Sequence, residues 1–256
     1  MGNPVINGKL EVCIDSLESA ANAIRGGAHE LEICSSLVEG GLTPSPGLVT
    51  EILNIVKTMD STQDRNVKLN IMIRCRGGPD FCYTDEEMKT MISDVKIYKS
   101  MGVDRFVFGA LTDKQEVDVE KCTAIIQAAS PIPVTFHRAF DVSSNPWDTM
   151  SKIVDLGFNR VLTSGQKISA ADCDAIELLK ELQVKFGGII EIMPGSGVCV
   201  KNAKTFLDIG FKMLHSSCKR DKDRVKIAND LGMGSKESFV TEAKTVKSMV
   251  EIIKPI

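Results

Sequence analysis

Two short segments, Leu10-Glu11-Val12-Cys13 and Leu31-Glu32-Ile33-Cys34, each place a carboxylate and a thiol two residues apart. In an extended strand, residues two apart share a face, so each glutamate points the same way as its cysteine while the apolar residues point the other way. Carboxylates exchange protons, and thiolates attack electrophiles or hold soft metals. Arg74 and Arg76 have the same spacing, and guanidinium forks grip carboxylate or phosphate. His137, in Thr135-Phe-His-Arg and followed by Asp141, and His215, at the end of another apolar run, are proton-exchanging candidates. In Met193-Pro-Gly-Ser-Gly-Val, residues Gly195, Ser196 and Gly197 leave room for backbone N–H groups to approach an anion, although a simple tight turn explains the same residues.

The elements that would carry these groups follow a regular rhythm. The two Leu-Glu-x-Cys segments flank a helical stretch, Ser16 to Arg25, capped by Asp15 or Ser16 and stopped by Gly26-Gly27, which makes a βαβ unit. A helix over about Gly47 to Met59 follows the second strand. The alternation continues with strand Lys68–Arg74 and helix Thr84–Met101, strand Arg105–Gly109 and helix Val119–Ala129, strand Pro133–His137 and helix Pro146–Leu156. Strand Arg160–Thr163 with helix Ala170–Lys185, strand Ile189–Ile192 with helix Lys201–Ile209, and strand Lys212–His215 with helix Val240–Ile253 complete eight pairs. Four corners share a Gly-x-x-x-apolar pattern, starting at Gly27, Gly102, Gly157 and Gly210. Eight units fill 256 residues, and no GxGxxG follows the first strand, so the expected fold is one (β/α)8 TIM barrel over 1–256 rather than a doubly wound sheet. The long charged segment 219–239 is expected to be a loop between strand eight and its helix.

Composition narrows the function classes. Apolar residues make up 43% and charged residues 25%, as in an ordinary globular protein. A net charge of −3 argues against nucleic acid as a partner, and no apolar run is long enough for a membrane span. Eight scattered cysteines with no CxxC pair suit a reducing, cytoplasmic setting, and most are expected to be buried small hydrophobes. A homo-oligomer is expected on general grounds.

Barrel enzymes place their working groups at the C-terminal ends of strands. There the interior is ordinarily branched and apolar, so the ionisable groups of Glu11, Glu32, Arg74, Arg76, His137 and His215 read either as a site or as a buried ion-pair plug in which the arginines neutralise the glutamates. As a site, the array suits an enzyme for a small anionic or sugar-like substrate: Arg74 and Arg76 with Gly195, Ser196 and Gly197 bind the anion, Glu11 or Glu32 acts as base, and His137 or His215 exchanges protons.

The segments Glu11-Val-Cys, Glu32-Ile-Cys, Glu39-Gly-Gly-Leu-Thr-Pro-Ser, Met72-Ile-Arg-Cys-Arg-Gly-Gly, Val107-Phe-Gly-Ala-Leu, Thr135-Phe-His-Arg-Ala-Phe-Asp, Leu162-Thr-Ser-Gly and Met193-Pro-Gly-Ser-Gly resemble, in order, the CutC family. Cys75 departs from the Arg-Pro-Arg-Gly-Gly usual there, and Pro79 is inserted before Asp80. The resemblance implies a role in copper homeostasis, with Cu(I) as the bound metal and Cys13 and Cys34 as its ligands. It offers no use for the arginines.

Overall fold

In the computed structural model, residues 8–63, 67–222 and 239–254 are described. Within them the chain alternates strand and helix: β1 (Lys9–Ile14), α1 (Leu17–Gly26), β2 (Glu30–Ile33), α2 (Pro46–Gln63), β3 (Lys68–Met72), α3 (Asp85–Ser100), β4 (Arg105–Phe108) and α4 (Val119–Ala129). There follow β5 (Val134–Phe136), α5 (Pro146–Leu156), β6 (Arg160–Thr163), α6 (Cys173–Phe186), β7 (Glu191–Pro194), α7 (Ala203–Ile209) and β8 (Met213–Ser216). The short strands β9 (Lys219–Asp221) and β10 (Phe239–Thr241) precede α8 (Ala243–Ile253).

Strands β1 to β8 form one parallel sheet in the order β7-β6-β5-β4-β3-β2-β1-β8, and β7 packs beside β8 to bring the sheet round to a nearly closed barrel. Alternation along the strands divides the core in two. Leu10, Val12, Leu31, Ile33, Ile71, Phe106, Phe136, Val161 and Leu214 join residues of the helices in one continuous apolar layer outside the barrel wall. The alternate positions point inside, and there the apolar content is small: Cys34, Met72 and Val107 form one patch, and Leu162, Met193 and Met213 another.

Helix ends follow local chemistry. Ser16, not Asp15, caps α1, its hydroxyl accepting from the Ser19 N–H at 3.3 Å. The four repeated corner glycines, Gly27, Gly102, Gly157 and Gly210, all have positive φ, the left-handed turn that an L side chain resists.

Several boundaries differ from the expected ones by a few residues, and three of the differences have a plain cause. Strand β7 starts at Glu191 because the Ile189 and Ile190 N–H groups are still held by the Phe186 carbonyl at the end of α6. Val240 lies in β10, paired with Arg220 of β9, so the last helix begins only at Ala243. Strand β3 ends at Met72, because the backbone of Arg74 exchanges its bonds with Thr43 instead. The ends of the 219–239 segment thus form an antiparallel ribbon, and residues 223–238 lie outside the described residues. No described helix is long and apolar enough to cross a membrane.

Candidate functional site

The inward positions stack into a polar column. In its lower part, Arg160 of β6 donates through Nη1 to Glu30 Oε2 at 2.8 Å and to Glu11 Oε2 at 3.4 Å, and through Nε to Glu191 Oε2 at 2.5 Å. Asn70 donates to Glu11 and Glu30 at 2.5 and 2.8 Å. Burial pushes the Glu30 carboxyl up, but the hydrogen bonds and charge of Arg160 outweigh it, with help from Asn70, and leave it at about 2. Glu30 is therefore a buried carboxylate locked in its charged form. The plug expected of Arg74 and Arg76 is built instead by Arg160, with Arg105 adding positive charge at the same end of the barrel.

Register determines the layer above. Glu11 stands opposite Glu30 and His215, whereas Cys13 stands opposite Glu32, so the two Leu-Glu-x-Cys segments are staggered by two residues rather than level. His215 Nδ1 lies 2.8 Å from Glu11 Oε1, and its Nε2 lies 3.8 Å from Glu32 Oε2. Ligand atoms of Cys13, Glu32 and His215 all lie within 4.8 Å of one another. Cys34, fully buried, points its thiol at Glu32 Oε2 over 3.6 Å.

This layer holds its protons unusually. Burial pushes the Glu32 carboxyl up to about 7, with the negative charge of Glu11 adding to the rise and His215 opposing it. Burial alone would push His215 down, but Cys13 and Glu32 hold it well above its ordinary range. The Cys34 thiol is pushed up by burial and by its acidic neighbours.

Above the column opens a cavity of about 860 Å³, lined among others by Cys13, Glu32, Arg74, His137, Ser196 and His215. Arg74 and His137 are buried side chains in its wall. Arg74 Nη1 donates to the Glu39 and Gly41 carbonyls, and Nη2 to that of Gly78. Gly40 and Gly41, both at positive φ, let this loop turn between two neighbours: a Cβ on Gly40 would stand 3.2 Å from Arg74 Nη1, and one on Gly41 3.1 Å from Cys34 Sγ.

Other expected site residues fall elsewhere. Arg76 leaves the cavity, because the chain is no longer in a strand and two-residue alternation does not hold; it pairs with Asp80 at 2.9 Å and with Glu87 at 2.6 Å. Gly195 does not line the cavity: its N–H is held by the Thr163 carbonyl, and Leu162 and His215 crowd its Cα. Ser196 and Gly197 reach the rim, where the Ser196 hydroxyl donates to the Ile168 carbonyl and Gly197 packs on Ser169. Asp141 accepts from Arg138, Thr163, Ser164 and Gln166, a saturated latch between the loops after β5 and β6.

Glu30, Asn70, Arg160 and the cavity-lining Phe81 were not anticipated. A signal for Arg160 existed: two of the repeated corners, Gly102-Val-Asp-Arg and Gly157-Phe-Asn-Arg, put an arginine at the first inward position of a strand.

Comparison with known proteins agrees with this architecture. The sequence pattern of the CutC family matches residues 8–220. Proteins called copper homeostasis protein cutC homolog from Mus musculus and Homo sapiens are each 40% identical to the chain, covering 96% of it and 90% and 89% of themselves. The crystal structure of a putative copper homeostasis protein CutC from Streptococcus agalactiae is 29% identical, with a TM-score of 0.74 over 82% of this chain and 98% of that one. Thiamine phosphate pyrophosphorylase from Pyrococcus furiosus, 14% identical with a TM-score of 0.59 over 98% of both chains, shares the barrel fold alone.

Proposed function

The chain belongs to the CutC family, and from that premise we propose that it is a cytoplasmic copper homeostasis protein that binds Cu(I) at the floor of the barrel mouth. Cys13 and His215 are the first two donors and Cys34 the third. The observation that carries this reading is the convergence of Cys13, Glu32 and His215 ligand atoms within 4.8 Å. Thiolate and imidazole both suit a soft, low-coordinate cuprous ion, whereas the hard carboxylate of Glu32 does not. Glu11 holds the His215 ring through Nδ1 at 2.8 Å, so that once the charged ring gives up its Nε2 proton, Nε2 would face the metal in the carboxylate–histidine arrangement that orients metal ligands.

A thiol must lose its proton to bind. Glu32 already accepts the Cys34 S–H and stands where that proton would go. All eight cysteines are free, as a protein working in reducing cytoplasm requires. The test is titration of the reduced protein with Cu(I) against a competing chelator. Cys13→Ser and His215→Gln are each expected to weaken binding roughly tenfold or more. A Cys13→Ser/Cys34→Ser double variant that binds as tightly as the parent overturns the assignment.

A further inference from the structure

A single copper ion occupies a small fraction of a cavity of about 860 Å³, and the copper reading leaves one wall of it unused. That wall is made by Arg74, His137 and Phe81. Arg74 is 5% exposed, and among the described residues no carboxylate lies within 4.0 Å of its guanidinium. Its Nη atoms donate to three backbone carbonyls, while its Nε has no partner among the described residues. A buried cation with no counter-charge is costly, because the charge has left water and gained nothing ionic in return.

His137, 3% exposed, adds a second unmatched donor. Its Nδ1 accepts the Ala139 N–H at 3.2 Å. A backbone N–H can only donate, so Nδ1 carries no proton and the neutral ring must carry it on Nε2. Burial, reinforced by the charge of Arg74, keeps the ring neutral. Nε2 also lacks a partner among the described residues. Two N–H donors and one net positive charge thus meet no acceptor.

Phe81 covers both. Its ring lies 5.0 Å from the Arg74 guanidinium carbon and 4.8 Å from the His137 ring centre. Phe81 sits at φ 52°, a left-handed conformation unfavourable for a bulky residue, three residues after Gly78 at φ 96°. One aromatic ring thus packs against both side chains whose N–H donors lack an acceptor among the described residues.

We propose that this wall is the carboxylate-binding subsite of a small organic acid, and that Phe81 swings aside to admit it. One negative charge and two oxygens match one guanidinium charge and two single N–H donors, Arg74 Nε and His137 Nε2. Apolar residues that line the same cavity, Met72 and Leu162 among them, suit a short carbon skeleton. The inference goes beyond copper binding and does not depend on it.

The test uses metal-free protein labelled with nitrogen-15 histidine, whose three histidines give a small imidazole spectrum that His137→Gln assigns. Acetate, succinate and inorganic phosphate are titrated separately at constant ionic strength. The expected result is a saturable shift of the His137 Nε2–H signal with acetate or succinate. It should be weakened in Arg74→Gln, and tightened about fivefold in Phe81→Ala, where a cation–π contact no longer has to be displaced. Phe81→Ala keeps the test decisive if Arg74→Gln does not fold. The proposal is overturned if neither carboxylate shifts His137 in the parent and in folded Phe81→Ala, if Arg74→Gln binds equally well, or if only phosphate binds.

Discussion

Replacing Arg160 with methionine removes the centre of the polar column while keeping most of its volume. The parent holds Glu30 at about 2 against an ordinary 4.5, which corresponds to about 3 kcal/mol of stabilisation of the charged form at neutral pH. In Arg160→Met this stabilisation is lost and Glu30 becomes a buried carboxylate without a cation, so the expected cost at pH 7 is roughly 3–5 kcal/mol. The sign with pH follows from the same groups. In the parent, the stability due to Glu30 is complete above 4.5 and fades as pH falls toward 2. In the variant, Glu30 takes up a proton well before that and the penalty is relieved, so the gap between the two proteins narrows on acidification. Urea unfolding followed by circular dichroism, at about pH 7 and about pH 4.5, reads both effects. An Arg160→Met/Glu30→Gln double variant should recover at least about half the loss, because no unpaired charge remains at that position. A single-variant cost under about 1 kcal/mol, or a double variant no more stable than the single, refutes the plug.

Three further outcomes follow from the geometry. Gly41→Ala puts a side chain at φ 86° and 3.1 Å from Cys34 Sγ; it should cost about 1–2 kcal/mol in urea unfolding and weaken Cu(I) in the chelator competition, and no change in either contradicts the account. His137 is pushed down from 6.5 to about 3 by burial and by Arg74, so below 6.5 the unfolded chain takes up a proton that the folded protein refuses. At about pH 4.5 this costs the parent roughly 3 kcal/mol that His137→Gln does not lose on acidification, and equal acid sensitivity of the two proteins refutes the neutral, buried ring. Gly26→Ala drives a methyl to 2.5 Å from Val246 Cβ and 2.7 Å from the Ala243 carbonyl, forcing α1 and α8 apart; a melting curve should show a loss of about 1–3 kcal/mol, and an unchanged melt contradicts this packing.

Much of the fold was legible because it is written in local patterns. The repeated glycine corners end α1 and α5 at left-handed residues, and helices α4 and α5 start and stop where their caps and prolines say. The site was legible only in part. Strand alternation correctly turns Glu11, Cys13, Glu32 and Cys34 inward, but it cannot give the two-residue stagger that sets Cys13 beside Glu32 and Glu11 beside His215. That stagger comes from closing the barrel, a property of all eight strands at once. Alternation also misleads beyond a strand end: Arg76 was expected to follow Arg74 into the mouth, yet Glu87 of α3 draws it outside. The pairing role of Arg160 is not legible locally, because its three carboxylate partners sit on three other strands, distant in sequence and adjacent only in the barrel.

The proposed copper centre is tested most directly by X-ray absorption at the copper edge of the reduced, stoichiometrically Cu(I)-loaded protein. The account predicts a mixed shell of cysteine sulfur and one imidazole nitrogen, the imidazole contribution disappearing in His215→Gln and the sulfur contribution falling in Cys13→Ser. A shell without imidazole in the parent, or one unchanged by both substitutions, would contradict it.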